Sequence, residues 1–357
     1  MKNLCVIFGG ASSEHDISVI TAMQLKKNYQ KEKLQMLYMG LDNKFYLATE
    51  VEDISFFANN AGTKLKEVFI LNGAVFCKKI LTKKLFDIGC VINCCHGGAG
   101  EDGDLAGFLN INGIKWTSSN SLSAHIAMDK YLSKLTLNGV VPTIKGELVT
   151  KENIEEKRKI IENEFSNNLI VKPNSMGSSI GVKVCSKKDY LDQVYAIFEL
   201  GDNALVEERV VDIVEYNQAC FRDKDELVLS VIERPLSKSN FLTFDDKYCG
   251  KQKSKGKDRE IPAIISKQIE ERIVKYTKLV YSTLNFNGVV RVDYIYDQKK
   301  KELFFNEVNT VPGSMAFYLF EPMGIDYISL VDKLVENSLE PKLPRCFDTN
   351  ILTVKSL

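Results

Sequence analysis

Val289-Val290-Arg291-Val292-Asp293-Tyr294-Ile295-Tyr296 and Leu303-Phe304-Phe305-Asn306-Glu307-Val308-Asn309 are two runs rich in β-branched and aromatic residues, separated by the charged stretch Asp297-Gln298-Lys299-Lys300-Lys301-Glu302. A polar connection of that length predicts a hairpin, with the two runs as antiparallel neighbours. Residues two apart on a strand face the same way, so Arg291 lies beside Asp293 and Glu307 beside Asn309. The shared face then carries an arginine, two carboxylates and an amide oxygen, with no histidine or cysteine. An all-oxygen set suits a hard cation such as Mg²⁺ and not zinc. A cation beside an arginine is what phosphoryl transfer requires. The same residues also suit a solvated hairpin face, and the rest of the chain has to decide between the two.

At 357 residues the chain is too long for one ordinary core and fits two or three domains. Its apolar fraction of 45% is that of a soluble globular protein. Lysine plus arginine (47) balances aspartate plus glutamate (47), so no net field favours nucleic acid or an anionic membrane. The basic run Lys251 to Lys257 reads as a loop. No apolar stretch has the length of a membrane span, and Met1 to Gly10 reads as a strand entering a glycine turn, not as a signal peptide. The nine cysteines are odd in number and scattered, and Cys5, Cys90 and Cys185 sit in apolar runs. They read as reduced, buried thiols of a cytoplasmic protein. Cys94-Cys95-His96 does not read as zinc-binding: alternation sends the two cysteines to opposite faces, and no second pair lies at finger spacing.

The first segment alternates strand and helix patterns: strand Leu4 to Phe8, helix Asp16 to Asn28, strand Leu34 to Met39, strand Cys90 to Cys94, helix Asp104 to Asn112. That rhythm predicts a parallel α/β sheet, in which ligands sit beyond the carboxyl ends of the strands. Two polar glycine loops fall there, Gly9 to Asp16 and His96 to Gly103. From about Ser118 the character changes to a helix carrying Met128, Asp129, Lys130 and Lys134, then a helix from Lys151 to Phe165. Next comes the strand Leu169 to Pro173, which runs into Asn174-Ser175-Met176-Gly177-Ser178-Ser179-Ile180-Gly181 and a further strand. A third segment from about Glu207 holds strands, the helix Ser266 to Leu284 and the opening hairpin.

The loop Asn174 to Gly181 joins two strands and lacks the Gly-Lys-Ser/Thr ending of a Walker loop. Its backbone N–H groups and hydroxyls still suit phosphate oxygens, with Lys172 supplying a point charge. Glu207, Glu208 and Glu215 suit an adenine amino group or ribose hydroxyls, or equally a polar strand edge. Glu14 sits where Ser12 or Ser13 would cap a helix, and it suits either the helix dipole or a substrate ammonium.

Taken in order, the glycine turn, His-Gly-Gly-x-Gly-Glu-Asp-Gly, Met-Asp-Lys, Lys-Pro-x-x-x-Gly-Ser-Ser-x-Gly, Glu-Glu, Lys-Tyr, Arg-x-Asp and Glu-x-Asn-Thr-x-Pro-Gly resemble the D-alanine:D-alanine ligases of the ATP-grasp superfamily. The resemblance runs from Leu4 to about Gly313. It implies an N-terminal parallel α/β, Rossmann-like domain (1–117) followed by a two-part ATP-grasp fold of the α+β kind, with a small subdomain (118–207) and a C-terminal subdomain (208–357).

The same resemblance implies ATP as cofactor with two Mg²⁺ ions, Mn²⁺ being able to substitute. Lys130 and Lys172 would hold the α- and β-phosphates, and the loop with Met176, Gly177, Ser178 and Ser179 would close over the γ-phosphate. Glu207, Glu208, Glu215 and Asn306 would complete the nucleotide site, and Asp293, Glu307 and Asn309 the metal site. Glu14 would orient the first D-alanine's ammonium, with His96 near its carboxylate. Arg291 and Gly313 would stabilise the oxyanion, and Tyr248 would hydrogen-bond Ser178.

Two departures stand out. Phe244 replaces a tyrosine common in the family. The stretch after Gly313, Ser314-Met315-Ala316-Phe317-Tyr318, is shorter than in relatives, which leaves Ser314 as the nearest candidate for the second substrate. The implied reaction is D-alanyl-D-alanine formation for peptidoglycan precursors. The alternatives are a D-serine or other D-acceptor ligase, a non-catalytic nucleotide-binding protein and an ATP-grasp enzyme with another substrate. Small-molecule substrates, no nucleic acid, no membrane and a homodimer complete the expectation.

Overall fold

The computed structural model describes residues 3–78, 80–236 and 259–342. Tyr248, Phe244 and the Lys251 to Lys257 run lie outside the described residues. The N-terminal segment runs β1 (Asn3–Gly9), α1 (His15–Asn28), β2 (Gln35–Met39), β3 (Phe45–Leu47), β4 (Lys66–Leu71), β5 (Ala74–Lys78), β6 (Thr82–Asn93), α2 (Asp104–Ile111) and β7 (Lys115–Trp116). The expected parallel core is present as β2-β1-β6-β7, with Val6 opposite both Met36 and Ile92. The antiparallel strands β3 to β5 extend it. The ring closes because β6 pairs with β5 through its first half and with β1 through its second. The strand expected from Cys90 thus begins eight residues earlier, at Thr82. Its first residues, Thr82, Lys83 and Lys84, are exposed, so no apolar run marks them. Cys94 and Cys95 enter cores on opposite faces of the sheet, as alternation requires.

The middle segment contains α3 (Ser121–Met128), α4 (Lys130–Thr136), β8 (Gly146–Val149), α5 (Ile154–Glu164), β9 (Asn168–Pro173), β10 (Lys183–Ser186), α6 (Tyr190–Glu199) and β11 (Ala204–Glu208). Its antiparallel sheet, ordered β10-β9-β11-β8, packs Val171 and Val206 against Ile161 of α5 and Val194 of α6. The helix expected to run through Asp129 is broken there. Asp129 is extended (ψ 104) and its carboxylate accepts from Leu132 N, which caps a new helix. Asn174 fixes the break, its C=O accepting from Lys130 N at 3.0 Å and its Oδ1 from Tyr131 N at 2.9 Å.

The third segment contains β12 (Ile213–Asp223), β13 (Glu226–Pro235), β14 (Arg259–Glu260), α7 (Lys267–Thr283), β15 (Val290–Asp297), β16 (Glu302–Asn309) and α8 (Tyr327–Glu336). The sheet order is β14-β13-β12-β15-β16. The opening hairpin forms as expected: Arg291 is opposite Asn309 and Asp293 opposite Glu307, with a register shift just after Asp293.

Beyond β16 the chain makes a left-handed turn at Ser314, Met315 and Ala316 (φ 50, 56 and 50). Such a backbone costs roughly 1–2 kcal/mol per residue. Burial offsets it, because Met315, Ala316, Leu319 and Phe320 enter the core that also holds Phe8, Leu25 and residues of α8.

Gly288 joins α7 to β15 at φ +68, and a Cβ there would lie 2.0 Å from the Thr117 carbonyl oxygen. Gly288→Ala should therefore lower unfolding stability by about 2 kcal/mol or more. Urea denaturation checks this, and an unchanged midpoint would refute it.

Candidate active site

The middle and third sheets face one another across a cavity of about 500 Å³. Lys130, Lys172, Met176, Gly177, Ser179 and Glu207 line it from one side, and Glu215, Arg291, Asp293, Asn306 and Glu307 from the other. Most residues singled out in the sequence therefore meet in one cleft.

The densest charge lies on the β9–β11 side. Lys172 stands opposite Leu205 and Glu207 opposite Ile170, which makes Lys172 and Glu207 diagonal neighbours on one face. Lys172 Nζ is 2.6 Å from Glu207 Oε2 and 3.4 Å from Asn306 Oδ1. The other Glu207 oxygen is taken by Lys134 Nζ. Burial alone would raise the Glu207 pKa, but the two ammonium groups override it and lower it to about 2. Burial pulls Lys134 down to about 8, against the attraction of Glu207. Lys130 is likewise lowered by burial, opposed by Glu307 at 3.9 Å, and its Nζ donates to Met176 O at 2.6 Å.

Two sequence expectations change here. Glu208 is not part of the cleft: alternation along β11 turns it to the other face, where it accepts from Ser166 N at 2.8 Å. Lys134 had been given no role, although its spacing of one helical turn from Lys130 puts both on one face.

On the hairpin, Arg291 Nε and Nη2 donate to the two Asp293 oxygens at 2.7 Å each. Burial disfavours the guanidinium charge, but this bidentate contact holds Arg291 well above its ordinary pKa. Asn309 Nδ2 donates to Asp293 Oδ2 at 3.2 Å. No cluster of three or more His, Cys, Asp or Glu side chains suited to a metal occurs among the described residues. The expected set contains two carboxylates and one amide on adjacent strands. As an oxygen-only donor set on one face, it fits a hard divalent cation.

At the far end, Glu14 itself occupies the N-cap of α1 and makes no side-chain cap, so the expected Ser12 or Ser13 cap is corrected. Its half-buried carboxylate accepts from Ser178 Oγ. Two glycines make room for it: a Cβ on Gly177 would lie 2.5 Å from Glu14 Oε2, and one on Gly97 3.1 Å away. Ser178 and Ser179 adopt φ 54 and 58, the strained backbone expected of a loop shaped for a ligand.

Behind this loop lies His96, whose Nε2 is 2.9 Å from Thr21 Oγ1. Ser314 N donates to that same Thr21 oxygen at 3.2 Å, and the Ser314 hydroxyl donates to Gln24 at 2.6 Å. Gly313, which opens the left-handed turn, has nothing within 4 Å of a notional Cβ.

Thr21, Gln24 and Glu101 carry no local sequence signal for a role here. The first two are one turn apart on α1, and Glu101 lies in the second glycine loop. The Glu101 carboxylate accepts from Gly97 N at 2.8 Å and Val311 N at 3.0 Å, and burial together with Glu14 raises its pKa to about 7.

Burial pushes the His96 pKa down to about 4, so the fold holds the neutral imidazole. An unfolded histidine titrates near 6.5, so the unfolded chain binds the proton first. Stability present above that value is then lost as pH falls through about 4. Urea midpoints at about pH 7, 5.5 and 4.5 should fall less steeply in His96→Gln, and equal slopes would overturn the assignment.

Family models for the D-ala D-ala ligase N-terminus and C-terminus match residues 3–119 and 137–336. The D-alanine--D-alanine ligase of Thermosipho melanesiensis is 30% identical over 366 residues and covers 99% of each chain. That of Campylobacter jejuni is 34% identical, covering 92% of each. Among solved structures, the D-alanine-D-alanine ligase from Helicobacter pylori has a TM-score of 0.78 at 28% identity, covering 96% of this chain and 100% of that one. The VanG D-Ala:D-Ser ligase from Enterococcus faecalis has 0.79 at 26%, covering 94% and 98%. This chain belongs to the D-alanine–D-alanine ligase family.

Proposed function

We propose that this chain joins two D-alanine molecules into D-alanyl-D-alanine at the expense of ATP, supplying peptidoglycan precursor synthesis. The observation that carries the reading is one cleft with Lys130 and Lys172 on one wall, the Arg291–Asn309 hairpin on the other and Glu14 at its end. The buried lysines suit the α- and β-phosphates, and the loop through Met176 to Ser179 suits the γ-phosphate. Glu215 and Asn306 border the same cavity and suit the nucleoside. Asp293, Glu307 and Asn309 would hold Mg²⁺, with Mn²⁺ as substitute. When bound, such ions neutralise charge on the phosphates.

In the reaction, the first D-alanine's carboxylate oxygen attacks the γ-phosphorus and ADP leaves, giving an acyl phosphate. The second D-alanine's amine, freed of its ammonium proton, attacks the acyl carbon, and the tetrahedral adduct loses one N–H proton and expels inorganic phosphate to leave the amide. Glu14 orients the first ammonium, and the neutral His96 lies on the side of its carboxylate. Arg291 and the Gly313 backbone receive the oxyanion. The glycine–serine loop, tethered to Glu14 through Ser178, covers the acyl phosphate and keeps water from it. Tyr248 belongs to this reading as a further partner of Ser178, and Ser314 stands nearest to the second substrate. Division of the chain at 117 and 207, a homodimer and a cytoplasmic location rest on the family resemblance. No helix among the described residues is long and apolar enough to cross a membrane.

Mg²⁺-dependent phosphate release from ATP should occur with D-alanine alone, and mass spectrometry should identify D-alanyl-D-alanine. Turnover only in mixtures with D-serine or D-lactate would move the assignment to another acceptor. Glu307→Gln should lower turnover about 100-fold or more while the circular dichroism spectrum is unchanged. Near-normal turnover would remove Glu307 from the metal site.

A further inference from the structure

Lys134 does not line the cleft, yet it is one of the most deeply buried lysines among the described residues, with a side chain 7% exposed. Its ammonium group meets one oxygen of Glu207, and Lys172 meets the other at 2.6 Å. Glu207 is only 2% exposed, so water contributes little to balancing these charges. The cluster carries two cations on one anion and keeps a net charge of about +1 at the wall that Lys172 lines. With Lys134 removed, Lys172 and Glu207 become a neutral pair. A neutral pair attracts a polyanion far less than a shared carboxylate flanked by two ammonium groups.

We propose that Lys134 is a positioning residue for the nucleotide phosphates. By holding one oxygen of Glu207 from behind, it keeps that carboxylate from fully neutralising Lys172, whose ammonium retains positive charge toward an anionic phosphate. The role of Glu207 follows: both oxygens face lysines, so it bridges two cations before it meets any base. This inference rests on the nucleotide reading of the cleft.

The test compares ADP with adenosine, which differ in the charged groups, on the full chain by calorimetry. Lys134→Met should weaken ADP binding about tenfold and leave adenosine binding within about twofold. In turnover, KM for ATP should rise while KM for D-alanine stays put, and Lys134→Arg should restore most of the ADP affinity. Lys134→Gln, which keeps a donor toward Glu207 but not the charge, is read in the same way if Lys134→Met does not fold. Equal losses for ADP and adenosine, or unchanged ADP affinity in a folded neutral variant, would overturn the proposal. Absence of ADP binding by the unsubstituted chain would overturn the nucleotide reading and the proposal with it, whereas binding that ignores residue 134 overturns the proposal alone.

Discussion

Buried charge is the constraint around which the cleft is built. Lys130, Lys134, Lys172 and Glu207 are all nearly inaccessible, and two of the three cations meet the one carboxylate of Glu207. Desolvating an unpaired ammonium costs several kcal/mol, so a fold that gathers three of them must either pair them or keep the excess for a ligand. Glu207 pairs two, and Lys130 leans on a backbone carbonyl with Glu307 at 3.9 Å. One positive charge in excess remains on that wall of the cleft. The break at Asp129 serves the same end: it sets Lys130 at the first position of a new helix, where its backbone N–H and its ammonium both reach the loop that follows Lys172.

Much of this was legible in the sequence, and the reasons differ from element to element. The β15–β16 hairpin could be read because alternation, length and a charged connection agree, and they fix the register of four polar side chains. The glycine–serine loop could be read as a loop, but not that Gly177 is needed for the approach of Glu14, because that contact spans 163 positions of chain. Strands β4 and β5 were missed although Asn72-Gly73, with φ 48 and 76, is the dipeptide a tight hairpin turn favours. The Glu207–Glu208 pair was read as one patch, whereas on a strand adjacent residues always part company. Lys134 and Glu101 take their roles from partners far away in sequence, which no local pattern encodes.

The Glu14 end shows how steric permission and electrostatics combine. Two glycines flank its carboxylate, and Ser178 donates to it from a loop held in a strained backbone. Glu101, with its pKa near 7, lies close enough to raise the local negative potential. Neighbouring carboxylates of this kind repel one another, which a nearby cationic group would relieve.

The left-handed turn at Ser314 has an effect that reaches well beyond the cleft. It sends Met315, Leu319 and Phe320, and then Tyr327, Leu330 and Leu334 of α8, into the core built by β1, α1 and β2, and Leu339 pairs with Trp116 at that sheet's edge. Part of the hydrophobic filling of β1, α1 and β2 is therefore supplied by residues far away in sequence. The stability of the N-terminal sheet and that of α8 are thereby coupled through one shared core, so loosening either exposes apolar surface of the other.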